Sequence, residues 1–237
     1  MAISTNPLAW LRSVQPRRAI ALLLLLLPLT VGAQTVRDLW LSMPPSFAPY
    51  LSTSLRTQCL DFYDMHTDAQ TDNALKGKSR IDTLTSTFLA ATLSKAHTLQ
   101  MKLLPASGSG LGAASGSGSV SSSSLSSCDS VLCVVRSWDG PKRDSEVQLF
   151  DRQWKPLQAP LTFSADSFVC RPDTMSEERF SRLVALLDPI MFSVSLSPAE
   201  NVLLVKLSPV VPNPEDEKAI EQILVQRKLK WDGKTFK

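Results

Sequence analysis

The sequence predicts an α+β domain with a mostly antiparallel sheet and helices packed on one face. Two observations support this prediction. Predicted helices and strands come in runs rather than in strict alternation, and the turns between predicted strands are short. The order of elements resembles a duplication, but no internal repeat is evident in the residues themselves.

The first 33 residues have the three parts of a secretory leader. Arg12, Arg17 and Arg18 precede an apolar run built around six leucines, and Val31-Gly32-Ala33 supplies small residues for cleavage. The run is about 12 residues long, whereas a helix needs about 20 residues to cross a bilayer. We therefore expect residues 1–33 to be a signal peptide and the protein to be periplasmic or secreted, without a membrane anchor.

The charge of the predicted mature chain argues against a nucleic-acid partner. The whole sequence has 25 Lys and Arg against 22 Asp and Glu. Three of the basic residues and none of the acidic ones lie in the leader, so 22 of each remain. Residues 34–237 are thus neutral overall and long enough for one domain with a substantial core.

The first half of this domain is predicted to begin with helices and to continue as strands. The two helices are predicted over 36–43 and from 49 to about 64. One extended segment begins at 81, and two more span 88–93 and 98–104. Apolar residues recur at helical spacing in the two helices, and Pro44-Pro45 separates them. The segment 88–93 also fits a helix.

A stretch rich in Ser, Gly and Ala follows, over residues 106–127. It has no periodicity and no side chains suited to a core, so we expect a flexible loop that joins two neighbouring strands. The second of these strands is predicted over 130–138, and Asp139-Gly140-Pro141 turns the chain into another at 146–150.

The second half is predicted to contain two helices and two hairpins. A capping box over 174–177 starts a helix that Asp188-Pro189 ends. The elements that follow are a hairpin of 191–197 and 202–207, a helix from Asn213 to about Gln226, and a final Asp-Gly hairpin over 229–236. A short strand near 168–170 is also expected.

Several segments resemble a family of exported proteins of unknown function from Gram-negative gut and oral anaerobes of the Bacteroides type. They are Trp40-Leu41-Ser42-Met43-Pro44, Asp61-Phe62-Tyr63-Asp64-Met65, Arg171-Pro172-Asp173-Thr174-Met175-Ser176 and Gln226-Arg227-Lys228-Leu229-Lys230-Trp231-Asp232-Gly233. The resemblance covers residues 34–237 except the Ser/Gly stretch. It implies export and a single domain, and it supplies no catalytic residues.

The densest group of candidate metal ligands follows the second predicted helix: Asp61, Asp64, His66, Asp68 and Asp72. Carboxylates at this density suit Ca²⁺, and a Asp-x-His-x-Asp pattern suits a transition metal. The spacing lacks the glycine and the terminal glutamate of an EF-hand loop. We expect a solvated acidic loop, with a metal-dependent binder or a periplasmic hydrolase as the alternative.

Four cysteines, Cys59, Cys128, Cys133 and Cys170, leave two possibilities open. An exported chain with an even number of cysteines can form disulfides, but a domain of this size does not need them. The sequence is equally consistent with one disulfide and with four thiols.

No residue pattern indicates a catalytic, cofactor-binding or metal site strongly enough to be assigned. A Ser or Cys hydrolase would need His66 or His97 as its base, and His97 is expected at the surface of a turn or strand end. The C-terminal lysines alternate with Trp231 and Phe236, which is typical of a lysine-protected edge strand whose aromatic rings face the core.

These observations favour an exported, non-catalytic domain that binds a protein, a peptide or an envelope component. No cofactor is expected. One possible binding mode is the addition of a ligand strand to an exposed sheet edge, where backbone hydrogen bonds provide the affinity.

Overall fold

A six-stranded antiparallel sheet lies at the centre of the computed structural model, which describes residues 34–107, 130–211 and 213–237. Its strands are β1 (Thr71–Asp72), β2 (Lys78–Leu84), β3 (Phe88–Ser94), β4 (His97–Pro105), β5 (Ser130–Asp139) and β6 (Arg143–Phe150). They lie side by side in chain order. The α+β class and the antiparallel pairing are confirmed.

One face of this sheet is covered by helices and the other by a second sheet. Helices α1 (Val36–Ser42) and α2 (Thr53–Asp64) pack on the first face. The second face carries β7 (Phe192–Leu196), β8 (Val202–Leu207) and β9 (Arg227–Lys230), together with α3 (Glu177–Ala185) and α4 (Pro214–Glu221). The division into two sheets is the main feature that the sequence patterns did not predict.

The central strands β4 and β5 are buried on both faces. Leu99 and Met101 of β4 belong to the core beneath α1 and α2. Cys133 and Val135 of β5 belong to the core shared with the second sheet. Because both faces are covered, β5 is a continuous apolar run over residues 131–135. In β4 the polar residues Gln100 and Lys102 also face covered space, and their side chains form hydrogen bonds with the second sheet and its turn.

Lys102 is a charged residue in the middle of this buried region, with 2% of its surface exposed. Its ammonium donates hydrogen bonds to three carbonyl oxygens of the turn between β7 and β8: Ser197 (2.6 Å), Pro198 (3.2 Å) and Glu200 (2.7 Å). Burial lowers the pKa of this lysine. The three carbonyls replace the water that the ammonium loses, and they fasten the second sheet onto the first.

Helices α1 and α2 are joined by a second buried cation. Arg56 donates to the carbonyl oxygens of Trp40 (3.1 Å) and Met43 (2.5 Å) at the end of α1. The Trp40 indole N–H donates in return to the Arg56 carbonyl, at 3.0 Å. These bonds satisfy carbonyls that a helix end leaves without partners.

Most predicted elements are present, with changed boundaries. Helix α2 begins at Thr53 rather than Pro49, because the Ser52 side chain caps it by accepting from the Leu55 N–H. Ser176 rather than Thr174 caps α3. Helix α4 ends at Glu221. Near 168–170, where the sequence predicts a short strand, a 3₁₀ helix (Ala165–Phe168) is followed by a single antiparallel bridge between Val169 and Leu224. The segment 88–93 is a strand.

The ends of the Ser/Gly stretch lie on neighbouring strands, as predicted. Pro105 at the end of β4 pairs with Ser130 at the start of β5. Residues 108–127 of the predicted flexible loop (106–127) lie outside the described residues, as does the predicted leader at 1–33.

The C-terminal segment forms the expected edge. Strand β9 pairs with β8 on one side, and Lys228 forms an ion pair with Glu200. Trp231 and Phe236 pack partly buried against the second core. The Trp231 indole donates to the Pro105 carbonyl at 2.7 Å.

Three of the four cysteines are free thiols. Cys59 and Cys133 are buried and Cys170 is exposed, and none of the three forms a disulfide. Cys128 lies outside the described residues.

Across the described ranges, every helix is too short or too polar to traverse a lipid bilayer.

The Lys102 bonds predict a large and specific effect on stability. Lys102→Met retains most of the apolar stem but removes the donor shared by the carbonyls of Ser197, Pro198 and Glu200. A hydrogen bond from a charged donor contributes about 1.5–3 kcal/mol, offset by the cost of burying the charge, so we expect a net loss of about 2–4 kcal/mol in the free energy of unfolding. Denaturant unfolding measures it.

Lys206→Met is the matched control, since Lys206 is an exposed lysine on β8. Its free energy of unfolding should change by less than about 0.5 kcal/mol. Equal effects of the two substitutions would contradict the role given to Lys102.

Candidate binding cleft beside strand β2

Helix α2 and strand β2 form the walls of an open cleft of about 390 Å³. Tyr63, His66 and Asp68 line one side, and Arg80 and Asp82 line the other. The cleft therefore lies along the outer edge of the six-stranded sheet.

The chain forms the first wall by turning sharply at the end of α2. Met65 closes the helix by donating its N–H to the Asp61 carbonyl at 3.0 Å. His66 follows with φ of 52°, a left-handed conformation that ends many helices. Residues 67–69 then line the cleft before the chain reaches β1.

The outer edge of β2 has little covering in the part of the chain that is described. Strand β1 pairs only with Lys78 and Ser79. At the other end, the Tyr63 hydroxyl accepts from the Leu84 N–H at 3.1 Å and lies 3.4 Å from the Leu84 carbonyl, to which it donates. Between these two ends, the outer side of residues 80–82 faces the cleft, and no strand of the described chain pairs with it.

The outer edge of β7, by contrast, is satisfied by side chains. Its backbone N–H groups at Phe192, Val194 and Leu196 donate to side chains of the six-stranded sheet. The acceptors are Asp144 (3.2 Å), Ser145 (3.1 Å) and Gln100 (2.8 Å).

Other chain segments cover the edges of β6 and β9. Val147 and Phe150 of β6 form bridges with Leu161 and Pro156. Lys230 of β9 exchanges two backbone hydrogen bonds with Lys237, at 2.6 and 2.9 Å. Among the described residues, no strand pairs with the outer edge of residues 80–82 of β2, which leaves this stretch open to a further strand.

The five predicted metal ligands do not form a common site. The two carboxylates of Asp64 and Asp72 are held in ion pairs with Arg37 and Lys78, each with a shortest contact of 2.6 Å. Asp61 is exposed on α2. Only His66 and Asp68 line the cleft. Within the described ranges, no group of three His, Cys, Asp or Glu side chains is placed to hold a metal ion.

The ion pair with Arg37 also decides the charge of Asp64. Its hydrogen bonds to the guanidinium, at 2.6 and 2.8 Å, lower the pKa of the Asp64 carboxyl. The carboxylate is therefore already neutralised by an arginine, which removes the electrostatic reason to bind a cation.

Cys59 borders the cleft but is unsuited to nucleophilic chemistry. It is buried, its Sγ lies 3.9 Å from the Ser79 carbonyl oxygen, and burial raises the pKa of the thiol. The reactive form of a cysteine is the thiolate, so a raised pKa keeps this side chain in its inert form.

Sequence reasoning missed Arg80 and Asp82. Arg80 Nε lies 2.7 Å from the Asp82 carboxylate, which also accepts from the Thr92 hydroxyl at 2.7 Å. No sequence motif surrounds these two residues. They line the cleft only because, in the described chain, no strand pairs with this part of the outer edge of β2. Tyr63 could be recognised only as a partly apolar residue of the helix pattern.

The expectation that His97 is a surface residue is wrong. The side chain is 8% exposed, stacks on Trp138 at a centroid distance of 5.2 Å, and its Nδ1 lies 2.6 Å from the Tyr50 hydroxyl. Burial, followed by the charge of Arg136, lowers the pKa of this histidine. His97 begins β4 opposite Trp138, and this pairing draws the ring inward.

The family is shown by a match over most of the chain. The family model described as "Protein of unknown function (DUF3256)" matches residues 28–111 and 116–236. The chain belongs to this family. The expected membership of a family of unknown function is confirmed.

A solved structure has the same fold. It is described as the structure of a domain of an uncharacterized protein from Porphyromonas gingivalis W83, with a TM-score of 0.61 and 22% sequence identity. The similarity covers 85% of this chain and 98% of that one. A comparison with curated proteins gives no match.

The buried histidine predicts a loss of stability on mild acidification. An unfolded histidine binds a proton as the pH falls through about 6.5. Folded His97 resists protonation because its pKa is lowered. The unfolded state therefore binds more protons, and the free energy of unfolding should decrease from about pH 7.5 to about pH 5.

His97→Gln should remove most of this pH dependence, and His66→Gln, which changes the exposed histidine, should retain it. Denaturant unfolding of both variants at the two pH values tests the assignment. A pH dependence that survives His97→Gln and disappears in His66→Gln would contradict it.

Proposed function

We propose that this protein is an exported, non-catalytic binding domain that captures an extended peptide segment in the cleft beside β2. The observation that carries the proposal is the outer edge of residues 80–82, with which no strand pairs in the described ranges. A peptide laid along this edge would form backbone hydrogen bonds with β2 and become a further strand of the sheet.

The two walls of the cleft favour a single extended segment over a second folded domain. The edge of β2 forms one wall, and α2 together with residues 67–69 forms the wall that faces it. A central strand of a folded domain has paired strands on both sides, which would prevent it from entering this space. An extended peptide has no paired strands and can enter.

The side chains along the edge suit a polar peptide. Arg80, Asp82, His66 and Asp68 place charges of both signs around the cleft. Such a pattern provides hydrogen-bond partners for backbone and polar side chains without selecting a strongly charged ligand. The protonated, buried thiol of Cys59 gives no support to a hydrolase.

The leader supports export. We expect the exported protein to begin at Gln34, after removal of residues 1–33. Intact-mass measurement of protein recovered from the envelope and medium fractions of expressing cells checks this. Ala33→Leu places a bulky residue at the cleavage position and should retain the uncut leader. An exported protein that still carries the leader without this substitution would contradict the predicted cleavage.

A peptide selection tests the binding mode. Residues 34–237 would be used to select binders from a library of random linear peptides. Hydrogen exchange of the protein would then be compared with and without a selected peptide. We expect slower exchange at those backbone N–H groups of residues 80–82 that face the cleft, because strand addition engages them. Protection confined to other regions would refute this mode.

Two alanine substitutions provide the matched control. Ala69 lines the cleft, so Ala69→Trp should fill it and weaken peptide binding about tenfold or more. Ala74 is exposed in the turn between β1 and β2, outside the cleft, and Ala74→Trp should leave the affinity unchanged. Titration calorimetry measures both.

A further inference from the structure

Tyr63 occupies an unusual position on the edge of β2. Its hydroxyl oxygen lies 3.1 Å from the Leu84 backbone nitrogen and 3.4 Å from the Leu84 carbonyl oxygen. One hydroxyl therefore accepts from the N–H and donates to the C=O of the same residue. A neighbouring antiparallel strand makes the same two bonds with its own backbone groups.

The pairing of β2 with β3 explains why Leu84 needs this partner. Residues along an antiparallel strand direct their backbone groups alternately to the two sides. The Thr85 N–H donates to the Phe88 carbonyl at 2.7 Å, so Thr85 faces β3. Leu84 consequently faces outward, toward Tyr63.

A second cavity begins on the far side of Tyr63. It has a volume of about 340 Å³ and is lined by Thr35, Arg37, Leu84 and the residues that follow Leu84. Tyr63 lines this cavity and the cleft, so its side chain divides one edge of β2 into two spaces.

We propose that the peptide-binding site continues past Tyr63 into this second cavity, and that the Tyr63 hydroxyl is a displaceable substitute for the backbone of the bound peptide. This inference rests on the proposed function. A long ligand would exchange bonds with Leu84 in place of the tyrosine, whereas a short one would pair only with residues 80–82. Tyr63 thereby lowers the affinity for long extended segments by competing with them.

The two hydrogen bonds to Leu84 explain why a side chain with a terminal hydroxyl, Tyr63, lies at this position on the edge of β2. Without it, the N–H and C=O of Leu84 would be exposed for pairing with any passing strand, which is a known route to aggregation. The tyrosine hydroxyl satisfies both groups in the free protein.

The substitution Tyr63→Phe tests the inference, because it removes the hydroxyl and retains the ring. The probe is a peptide selected on residues 34–237, in its full length and in a form shortened at the end nearest Leu84. We expect Tyr63→Phe to bind the full-length peptide about tenfold more tightly. The shortened peptide should bind both proteins equally.

The chain has two tyrosines, so Tyr50→Phe is the matched control. It removes a hydroxyl that contacts His97 and lies outside both spaces. It should leave both affinities unchanged. Hydrogen exchange provides a second measurement: the Leu84 N–H should exchange faster in free Tyr63→Phe than in the unsubstituted protein, and it should be protected by the full-length peptide.

The outcomes separate the inference from the proposed function. A peptide that protects residues 80–82 but binds Tyr63→Phe with equal or lower affinity would overturn the role of Tyr63 and leave the cleft intact as a binding site. Absence of any peptide that protects residues 80–82 would overturn both. An unchanged exchange rate of the Leu84 N–H in free Tyr63→Phe would also overturn the substitute role.

Discussion

The attachment of the second sheet to the first depends on the Lys102 ammonium and its three carbonyl acceptors. A charge with this degree of burial is tolerated only where polar groups surround it. The turn between β7 and β8 provides these groups, so the lysine ties this turn to β4. Once the turn is placed, the strands on either side lie across the face of β4 and β5.

This placement also decides which edges of the fold are closed. With β7 held against the large sheet, its outward N–H groups meet Asp144, Ser145 and Gln100 instead of water. The second sheet therefore presents little free backbone on that side. At one end of the large sheet, the two-residue edge strand β1 is too short to cover its neighbour β2.

The cleft beside β2 is a consequence of two chain reversals that are close in sequence. Just after α2, His66 adopts a left-handed backbone conformation, and the chain turns back toward the sheet. Strand β1 then pairs with only the first two residues of β2, Lys78 and Ser79. What remains is an edge bordered by polar side chains and partly satisfied by one tyrosine. The proposed binding site and the tyrosine that satisfies an exposed edge thus belong to the same short stretch.

Secondary structure was largely predictable, because caps, prolines and apolar spacing act over a few residues. Ser176 and Asn213 start helices near the predicted positions, and the hairpin of β7 and β8 follows from its alternating pattern. The burial of His97 was not predictable. It depends on Trp138, which is distant along the chain and reaches the histidine only through the pairing of β4 with β5.

The acidic residues after α2 also separate what the sequence could predict from what it could not. Their density in the sequence suggested a ligand set, but Arg37 and Lys78 neutralise two of them from other elements. The sequence by itself determined the α+β class, the helix starts, the strand patterns and the expectation of export, since these depend on local chemistry. Only the tertiary structure decided which edge stays open and that Tyr63 partly closes it, because an edge is defined by the neighbour that is missing.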